Sequence, residues 1–189
     1  KKNRQNLKLT NIVVVGASGR MGVEILSLAE AWENIKVVGT VRSDRYGWQE
    51  INPRDVHVVV EFSGLEGLRD TIKWCAKFKK PLVSGTTGLL AKDFSSLRRL
   101  AKSIPVLWSP NMSIGVQWLN RALKSVGALK DWTFQVEETH HSKKRDRPSG
   151  TAKFLQQTLE EALDRKLTAP ISIRGGGVFG NHRILMIDE

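Results

Sequence analysis

Cysteine is almost absent from this chain, and long apolar runs are missing. Cys75 is the one cysteine among 189 residues, so no intrachain disulfide can form and nothing points to an oxidising compartment. No apolar run approaches the roughly 20 residues that a membrane-spanning helix needs. These absences favour a cytoplasmic protein with no membrane partner.

Acidic residues are scarce relative to basic ones. The chain carries 30 Lys and Arg against 19 Asp and Glu, a formal net charge of +11. This excess predicts an anionic ligand or a solvated basic surface. Four tryptophans fall in helix or strand patterns, and we interpret them as core positions rather than a stacking platform: Trp32, Trp74, Trp118 and Trp132. We therefore expect no nucleic-acid partner.

Short β-branched runs alternate with longer amphipathic stretches in the first half of the chain. The predicted strands are Thr10–Val15, Ile35–Val41, Val56–Phe62, Pro81–Ser84 and Pro105–Trp108. The predicted helices are Gly19–Trp32, with Met21, Ile25, Leu28 and Ala29 on one face, Leu65–Lys79 and Asp93–Ser103. Such alternation is typical of βαβ units, so we predict an α/β fold: a Rossmann-like, doubly wound parallel sheet with helices on both faces.

The pattern changes after about Ser109. A helix is predicted over Ser113–Gly127, with Ile114, Trp118, Ala122 and Val126 at helical spacing. The remaining predicted elements are a strand over Trp132–Glu138, a helix over Gly150–Asp164, and strands over Ile171–Ile173 and Arg183–Ile187. We predict two domains, a dinucleotide-binding domain over residues 1–110 and a smaller α+β domain with an open mixed sheet over residues 111–189.

A glycine-rich segment follows the first predicted strand and opens the first predicted helix. It reads Gly16-Ala17-Ser18-Gly19-Arg20-Met21-Gly22. Small residues let the backbone approach a pyrophosphate, which the amides at a helix N-terminus can hold. The alternative is an ordinary strand-to-helix turn that packs tightly. Its place after a buried strand favours dinucleotide binding.

The end of the second predicted strand bears on the choice of cofactor. An acidic residue there would bind a ribose 2′-hydroxyl, but this strand is followed by Arg42 and Ser43, which suit a 2′-phosphate. NADPH is therefore the preferred cofactor, and NADH stays possible because a shift of one residue would bring in Asp44. A solvated turn is the alternative.

Two further segments follow predicted strands at the carboxyl edge of the sheet, where ligands of doubly wound folds bind. They are Ser84-Gly85-Thr86-Thr87-Gly88 and Ser109-Pro110-Asn111-Met112. Each by itself is more typical of a plain loop than of a site.

The densest polar chemistry lies between Glu137 and Ala152. It holds the pair His140 and His141, which would point to opposite faces if the strand continued through them. Ser149-Gly150-Thr151 before a helix offers a serine cap and free amides for a carboxylate. A solvated basic face and a structural histidine pair remain alternatives, and we expect no metal because spacing places no third ligand.

Taken together, these segments resemble the 4-hydroxy-tetrahydrodipicolinate reductase (dihydrodipicolinate reductase) family. The matching segments, in order, are Val15–Gly22, Glu61-Phe62-Ser63, Ser84–Gly88, Pro110–Val116 and His140-His141-x-x-Lys144-x-Asp146-x-Pro148-Ser149-Gly150-Thr151-Ala152. The last of them is far more specific than a glycine loop. Arg174 and Gly180-x-His182 fit the late part of the family pattern.

The resemblance implies NAD(P)H-dependent reduction of a cyclic dicarboxylate imine on the route to diaminopimelate and lysine. It implies that His140 is the proton donor, that Lys144 is the second catalytic residue, and that the second domain binds the substrate. The substrate-binding positions would be His141, Gly150 and Thr151, and the cofactor-contacting segments Gly16–Met21, Gly85–Thr87 and Ser109–Met112. It also implies a homotetramer built through the sheet of the second domain.

Some positions depart from the family pattern. Arg147 stands where a small residue is usual, Pro110-Asn111-Met112 replaces a more alanine- and phenylalanine-rich version, and the family continues past the last predicted strand. The alternative function is a non-catalytic NADPH-binding sensor or structural protein of the same ancestry. The histidine loop argues against a sister dehydrogenase of another amino-acid precursor.

Overall fold

The computed structural model describes residues 8–42 and 47–188. The chain divides into two compact units, Lys1–Ser109 and Pro110–Glu189. Each unit has a sheet and a hydrophobic core of its own.

The first unit is built on a five-stranded parallel sheet. Its strands are β1 (Thr10–Val15), β2 (Ile35–Val41), β3 (Val58–Glu61), β4 (Leu82–Ser84) and β5 (Val106–Trp108), in the order β2-β1-β3-β4-β5. Its helices are α1 (Arg20–Glu30), α2 (Leu65–Phe78) and α3 (Ala91–Ala101). Two single-turn 3₁₀ helices, Trp48–Glu50 and Pro53–Asp55, lie between β2 and β3.

Helices cover both faces of this sheet. Val13 and Val15 of β1 pack toward residues of α2 and α3, whereas Ile12 and Val14 pack toward α1. A parallel strand that is buried on both faces needs apolar side chains on both, which is why the four buried residues at the end of β1 are Ile12, Val13, Val14 and Val15. The predicted Rossmann-like α/β class is confirmed.

The second unit contains a three-stranded mixed sheet and two helices. The helices are α4 (Ile114–Leu123) and α5 (Gly150–Leu163), and the strands are β6 (Thr133–His140), β7 (Ile171–Arg174) and β8 (Asn181–Ile187). The central strand β6 pairs in parallel with β7 and antiparallel with β8. Phe134 and Val136 of β6 pack against Leu155 and Leu159 of α5 to form the core.

The predicted face of α4 is wrong. The helix ends at Leu123 and is followed by a 3₁₀ helix over Val126–Leu129, so the predicted spacing does not continue through residue 126. Asn120 and Leu123 are the buried residues of α4, and Thr158 of α5 donates a hydrogen bond to Asn120. Because that side faces α5, Ile114 is 87% exposed.

The assignment of all four tryptophans to the core is also wrong. Trp74 packs against the core of the first unit and Trp132 against that of the second. Trp118, on the open side of α4, is 70% exposed, and Trp32, after the end of α1, is 55% exposed.

The predicted apolar face of α1 is likewise only partly buried. Gly22 and Ala29 are its buried residues, while Met21 and Leu28 are 49% and 58% exposed. Within the described ranges no helix combines the length and the apolar character that crossing a membrane requires.

Candidate functional site

The glycine-rich segment forms a tight turn between β1 and α1. Gly16 has φ +82°, a left-handed conformation that glycine adopts without strain. Its amide donates to the Val41 carbonyl at 2.8 Å, and the Gly19 amide donates to the Gly16 carbonyl at 2.9 Å. The turn is thereby fixed to the end of β2 and leads directly into α1.

Two glycines of this turn are required by close backbone contacts. A Cβ on Gly16 would lie 2.5 Å from the Phe62 carbonyl oxygen, and one on Gly22 would overlap the Gly16 carbonyl. Gly19 stands at the N-cap of α1 and has no side chain to cover the first amides. The backbone donors and the helix dipole are therefore presented together, as a bound pyrophosphate requires.

A cavity of about 560 Å³ lies beside the glycine turn at the carboxyl ends of β1, β2 and β3. Gly16, Ser18 and Gly19 line it, and so do Arg42 and Trp48. Its size is in the usual range of small-ligand sites. Ser43 and Asp44, the other residues predicted near the ribose, lie outside the described residues.

Glu61, the last residue of β3, is fully buried and joins the loops after β3 and β4. Its Oε1 accepts hydrogen bonds from the Ser63 amide at 2.7 Å, the Ser63 hydroxyl at 2.5 Å and the Thr86 hydroxyl at 2.7 Å. Its Oε2 accepts from the Ser84 hydroxyl at 2.6 Å. The carboxylate is thus solvated by four neutral donors from two loops.

The predicted cofactor loop after β4 is packed closely against the loop after β3. A Cβ on Gly85 would overlap the Phe62 ring, so only glycine fits there. The Thr86 carbonyl accepts a hydrogen bond from the Trp108 indole N–H at 2.9 Å. The Thr86 hydroxyl donates to the Glu61 carboxylate. Thr87 is exposed, as are Arg20 and Met21 in the glycine-rich segment.

In the second unit, Glu138 and Arg174 form a buried ion pair below His140. The Arg174 side chain is 2% exposed and that of Glu138 is 0% exposed. Arg174 donates to Oε2 of Glu138 at 2.9 Å and to Oε1 at 2.6 Å. Burial opposes ionisation of this carboxyl, but hydrogen bonds to it, the strongest of them from Arg174, outweigh burial and lower the pKa of Glu138 to about 2.

The same arginine fixes the basic loop. Besides Glu138 it donates to the carbonyls of Lys144, Asp146 and Ile173. All donor directions of the guanidinium are therefore used. The loop that carries Lys144 is held next to Glu138 by one side chain on β7.

His140 ends β6 and is oriented by Glu138. Its Nδ1 is hydrogen-bonded to Oε2 of Glu138, and because the ionised carboxylate can only accept, Nδ1 carries the proton. Its Nε2 faces Gly180, where a Cβ would approach it to 2.7 Å. One nitrogen is thus anchored, and the other is left for proton exchange.

Ser149 and His182 complete the network. The Ser149 amide donates to Oε1 of Glu138 at 3.3 Å, and its hydroxyl caps α5 through the Ala152 amide. The same hydroxyl lies 3.1 Å from Nε2 of His182. Burial, together with the charge of His140, lowers the pKa of His182.

The predicted second catalytic residue, Lys144, and the predicted substrate residues Gly150 and Thr151 lie in the segments next to this network. Lys144 forms a 2.8 Å ion pair with Asp146, which lowers the pKa of that carboxyl. Gly150 is the first residue of α5, and Thr151 follows it. Thr151 accepts from the side-chain amide of Asn111 at 2.9 Å, so the structure brings a predicted cofactor residue to a predicted substrate residue.

Not every predicted residue joins these groups. His141 lies just beyond β6 and is half-buried, whereas Pro110 and Met112 are exposed. The Ser109 amide donates to the Ser84 carbonyl at 3.2 Å, which fixes the end of β5 against β4. Among the described residues there is no cluster of histidine, cysteine and carboxylate side chains that could hold a metal ion.

Sequence analysis assigned no site role to four residues that organise these sites, although three of them stand in segments that carry the family resemblance: Glu61, Arg174 and His182, and in addition Glu138. A signal was present for Glu138, which precedes His140 by two positions and so shares its strand face. No spacing could have joined Arg174 to Glu138 before the pairing of β7 with β6 was known.

Two family profiles match successive parts of the chain. The profile described as dihydrodipicolinate reductase, N-terminus, matches residues 10–112, and that described as dihydrodipicolinate reductase, C-terminus, matches residues 115–189.

Curated relatives agree with these profiles. A 4-hydroxy-tetrahydrodipicolinate reductase of Bdellovibrio bacteriovorus is 44% identical over 184 residues, which cover 97% of this chain and 80% of the relative. The enzyme of the same name from Thermosipho africanus is 37% identical over 178 residues, covering 93% of this chain and 77% of the relative.

Solved structures share the fold. A dipicolinate-bound dihydrodipicolinate reductase from a Paenisporosarcina species superposes with a TM-score of 0.80 at 19% identity, covering 96% of this chain and 84% of that one. Aspartate semialdehyde dehydrogenase II from Vibrio cholerae gives a TM-score of 0.59 at 10% identity, covering 95% and 74%.

Proposed function

This chain belongs to the dihydrodipicolinate reductase family, and from that membership we propose that it reduces 4-hydroxy-tetrahydrodipicolinate to tetrahydrodipicolinate with NAD(P)H, in diaminopimelate and lysine biosynthesis. The observation that carries the proposal is the arrangement of His140. Its Nδ1 is anchored by an ionised Glu138, and its Nε2 faces Gly180, which has no side chain to cover it.

His140 is proposed as the general acid. The conversion removes the 4-hydroxyl group of the substrate as water, and the unsaturated imine that results takes a hydride on one carbon and a proton on a neighbouring atom. The site therefore needs a proton donor beside the hydride source. The Glu138 carboxylate holds Nδ1, so Nε2 is the nitrogen from which a proton is given to the substrate. Arg174 keeps that carboxylate ionised and in place.

The substrate carboxylates are proposed to bind at the start of α5 and at Lys144. The amides of Gly150 and Thr151 stand at the positive end of the α5 dipole. The Lys144 ammonium is paired with Asp146, whose side chain is 53% exposed, so a substrate carboxylate can compete for it. His141 is proposed as a further contact.

The described residues fit a dinucleotide in the cavity of the first unit. A pyrophosphate can bind at the turn, because the backbone is closely packed without side chains at Gly16 and Gly22 and no side chain caps the N-terminus of α1. When bound, the reduced cofactor supplies the hydride. Arg42 lines the adenosine side of the cavity, and we propose that it favours NADPH over NADH by pairing with the 2′-phosphate.

The proposed contacts also include the loop over Gly85–Thr87 and the segment over Ser109–Met112. Since the hydroxyl of Thr86 is occupied by Glu61, that residue would offer its backbone. Thr87 is exposed and offers its side chain.

We further propose a cytoplasmic homotetramer assembled through the sheet of the second unit. One face of β6 packs on α5, and the residues of β7 and β8 on the other face include Ile171, Ile173 and Ile187, which are about half exposed. Partly exposed isoleucines on both outer strands of an open sheet face are suited to a second copy of the chain. Light scattering of the parent and of Ile173→Lys tests this, because the variant should dissociate.

The function is tested by oxidation of NADPH and NADH, with substrate generated in situ by the preceding synthase. The parent should turn over, while His140→Gln should lose about 100-fold or more in turnover and retain NADPH binding. If the parent binds NADPH without turnover, the non-catalytic alternative replaces the reductase. If it binds neither cofactor, the proposal is wrong altogether.

A further inference from the structure

Glu61 is a buried acidic residue that the proposed chemistry does not use. No part of it is exposed, and no basic side chain is among its hydrogen-bond donors. Burying a carboxylate is costly unless it is well solvated by the protein. Four donors in two loops supply that solvation, so the loops and the carboxylate depend on each other.

The position of Glu61 in the sheet shows which ligand region it serves. The Cα of Glu61 is level with that of Ser84, because β3 and β4 are adjacent parallel strands. In the order β2-β1-β3-β4-β5, these strands lie on the opposite side of β1 from β2, which ends at Arg42. A dinucleotide has its pyrophosphate at the turn after β1, so its adenosine half falls toward Arg42 and its nicotinamide half toward the loops after β3 and β4.

The carboxylate also fixes the polarity of the hydroxyls around it. The Ser63 and Thr86 hydroxyls each donate to Oε1 of Glu61, so their protons point toward this carboxyl group. Their remaining capacity is as acceptors. Ser63 is an exposed residue that lines the cavity, so its hydroxyl oxygen can accept a hydrogen bond from a ligand N–H.

We propose that Glu61 is a positioning residue for the nicotinamide half of the cofactor, acting through the Ser63 and Thr86 loops. The inference rests on the proposed dinucleotide binding of the first unit. It adds a residue whose carboxylate need not touch the cofactor and yet determines where its reactive half is held.

The test separates the two halves of the cofactor. The dissociation constants of NADPH and of 2′-phospho-ADP-ribose, which lacks the nicotinamide, are measured by calorimetry for the parent and for Glu61→Gln. The variant should bind NADPH about tenfold more weakly and the fragment within about twofold of the parent. A smaller loss is expected for Glu61→Asp, which keeps the charge and shortens the side chain.

Asp93→Asn is the matched control. Asp93 is a buried carboxylate of the same unit that binds Arg69 and the Leu90 amide at the start of α3. Its loss should lower the melting temperature and leave both dissociation constants unchanged. The comparison therefore distinguishes loss of any buried acid from loss of this one.

Three outcomes would overturn the inference. Equal weakening of both ligands by Glu61→Gln would show a general folding role, and no change in either would show that the loops hold themselves. If the glutamine variant does not fold, equal effects of Glu61→Asp on the two ligands would also contradict it. A parent that binds neither ligand would contradict the proposed function instead, so the two failures are distinguishable.

Discussion

Glu61 in the first unit and Glu138 in the second are both fully buried carboxylates near the end of a strand, but different donors hold them. Hydroxyls and one backbone amide surround Glu61. Glu138 is paired with the buried guanidinium of Arg174 and with His140. The first arrangement suits a carboxylate that shapes loops, whereas the second suits one that balances charge beside the proposed proton donor.

The difference matters for what happens when each charge is removed. The neutral donors around Glu61 can bond to other acceptors or to water when the carboxylate is replaced, so the loss in free energy of unfolding is moderate. A buried guanidinium whose carboxylate is lost becomes an uncompensated charge. The two sites should therefore differ in stability as well as in chemistry.

The largest effect is expected from Glu138→Gln. It leaves Arg174 buried without a counter-charge and should lower the free energy of unfolding by about 3 kcal/mol, against about 1 kcal/mol for Glu61→Gln. Urea unfolding of both variants measures the difference. Equal losses would mean that the two carboxylates are held in energetically equivalent ways and would remove the basis of the comparison.

A second variant tests the second unit by its effect on catalysis rather than on stability. Gly180→Ala places a methyl group against Nε2 of His140 at a φ of +149°, so kcat/KM should fall by about 100-fold. NADPH binding should remain at the parent value, because Gly180 belongs to the second unit. An active variant would show that the proton does not leave through Nε2.

Acid should act on the second unit in two steps. A lowered pKa means that the unfolded chain binds the proton more tightly, so each group stabilises the fold above its ordinary pKa and loses that contribution as the pH falls. For His182 the loss begins near its ordinary value of 6.5, and for Glu138 it runs from 4.5 to about 2.

Unfolding free energies at several pH values check this order. His182→Gln should flatten the dependence between about pH 7 and pH 5, and leave the steeper loss below about pH 4.5 in place. If the unfolding free energy of His182→Gln changed with pH near neutrality as steeply as that of the parent, His182 would not be the group responsible for this dependence. Glu61→Gln serves as the control, because it leaves His182 in place.

The smallest effect is expected from Asp146→Asn. It removes the ion pair with Lys144, whose members are 25% and 53% exposed, and should change the free energy of unfolding by less than about 1 kcal/mol. A loss as large as that of Glu138→Gln would show that the exposed pair, and not the buried one, holds the basic loop.

Much of the fold could be predicted because its signals are local. Buried parallel strands read as valine runs, as over Thr10–Val15, and the glycine turn follows directly from the sequence. Helix faces were less predictable. Ile114 and Trp118 have the spacing of a buried stripe, but α5 packs against another side of α4, at Asn120 and Leu123.

In the candidate site, too, the features with a local sequence signal were predictable and the long-range contacts were not. The histidine loop and the glycine turn lie in contiguous sequence, so the residue pattern was sufficient to name them as candidates. Arg174 lies 36 positions from Glu138, and Thr86 lies 25 positions from Glu61. Such pairs are joined by strand pairing, which no single-sequence pattern reports.

The sequence by itself determined the fold class, the glycine cradle and the identity of the histidine loop, because each depends on neighbouring residues or on a regular period. The tertiary structure alone decided which nitrogen of His140 carries a proton, which carboxylates are buried and which donors hold them. Those properties come from the pairing of β6 with β7 and of β3 with β4, where side chains distant in the chain meet away from water.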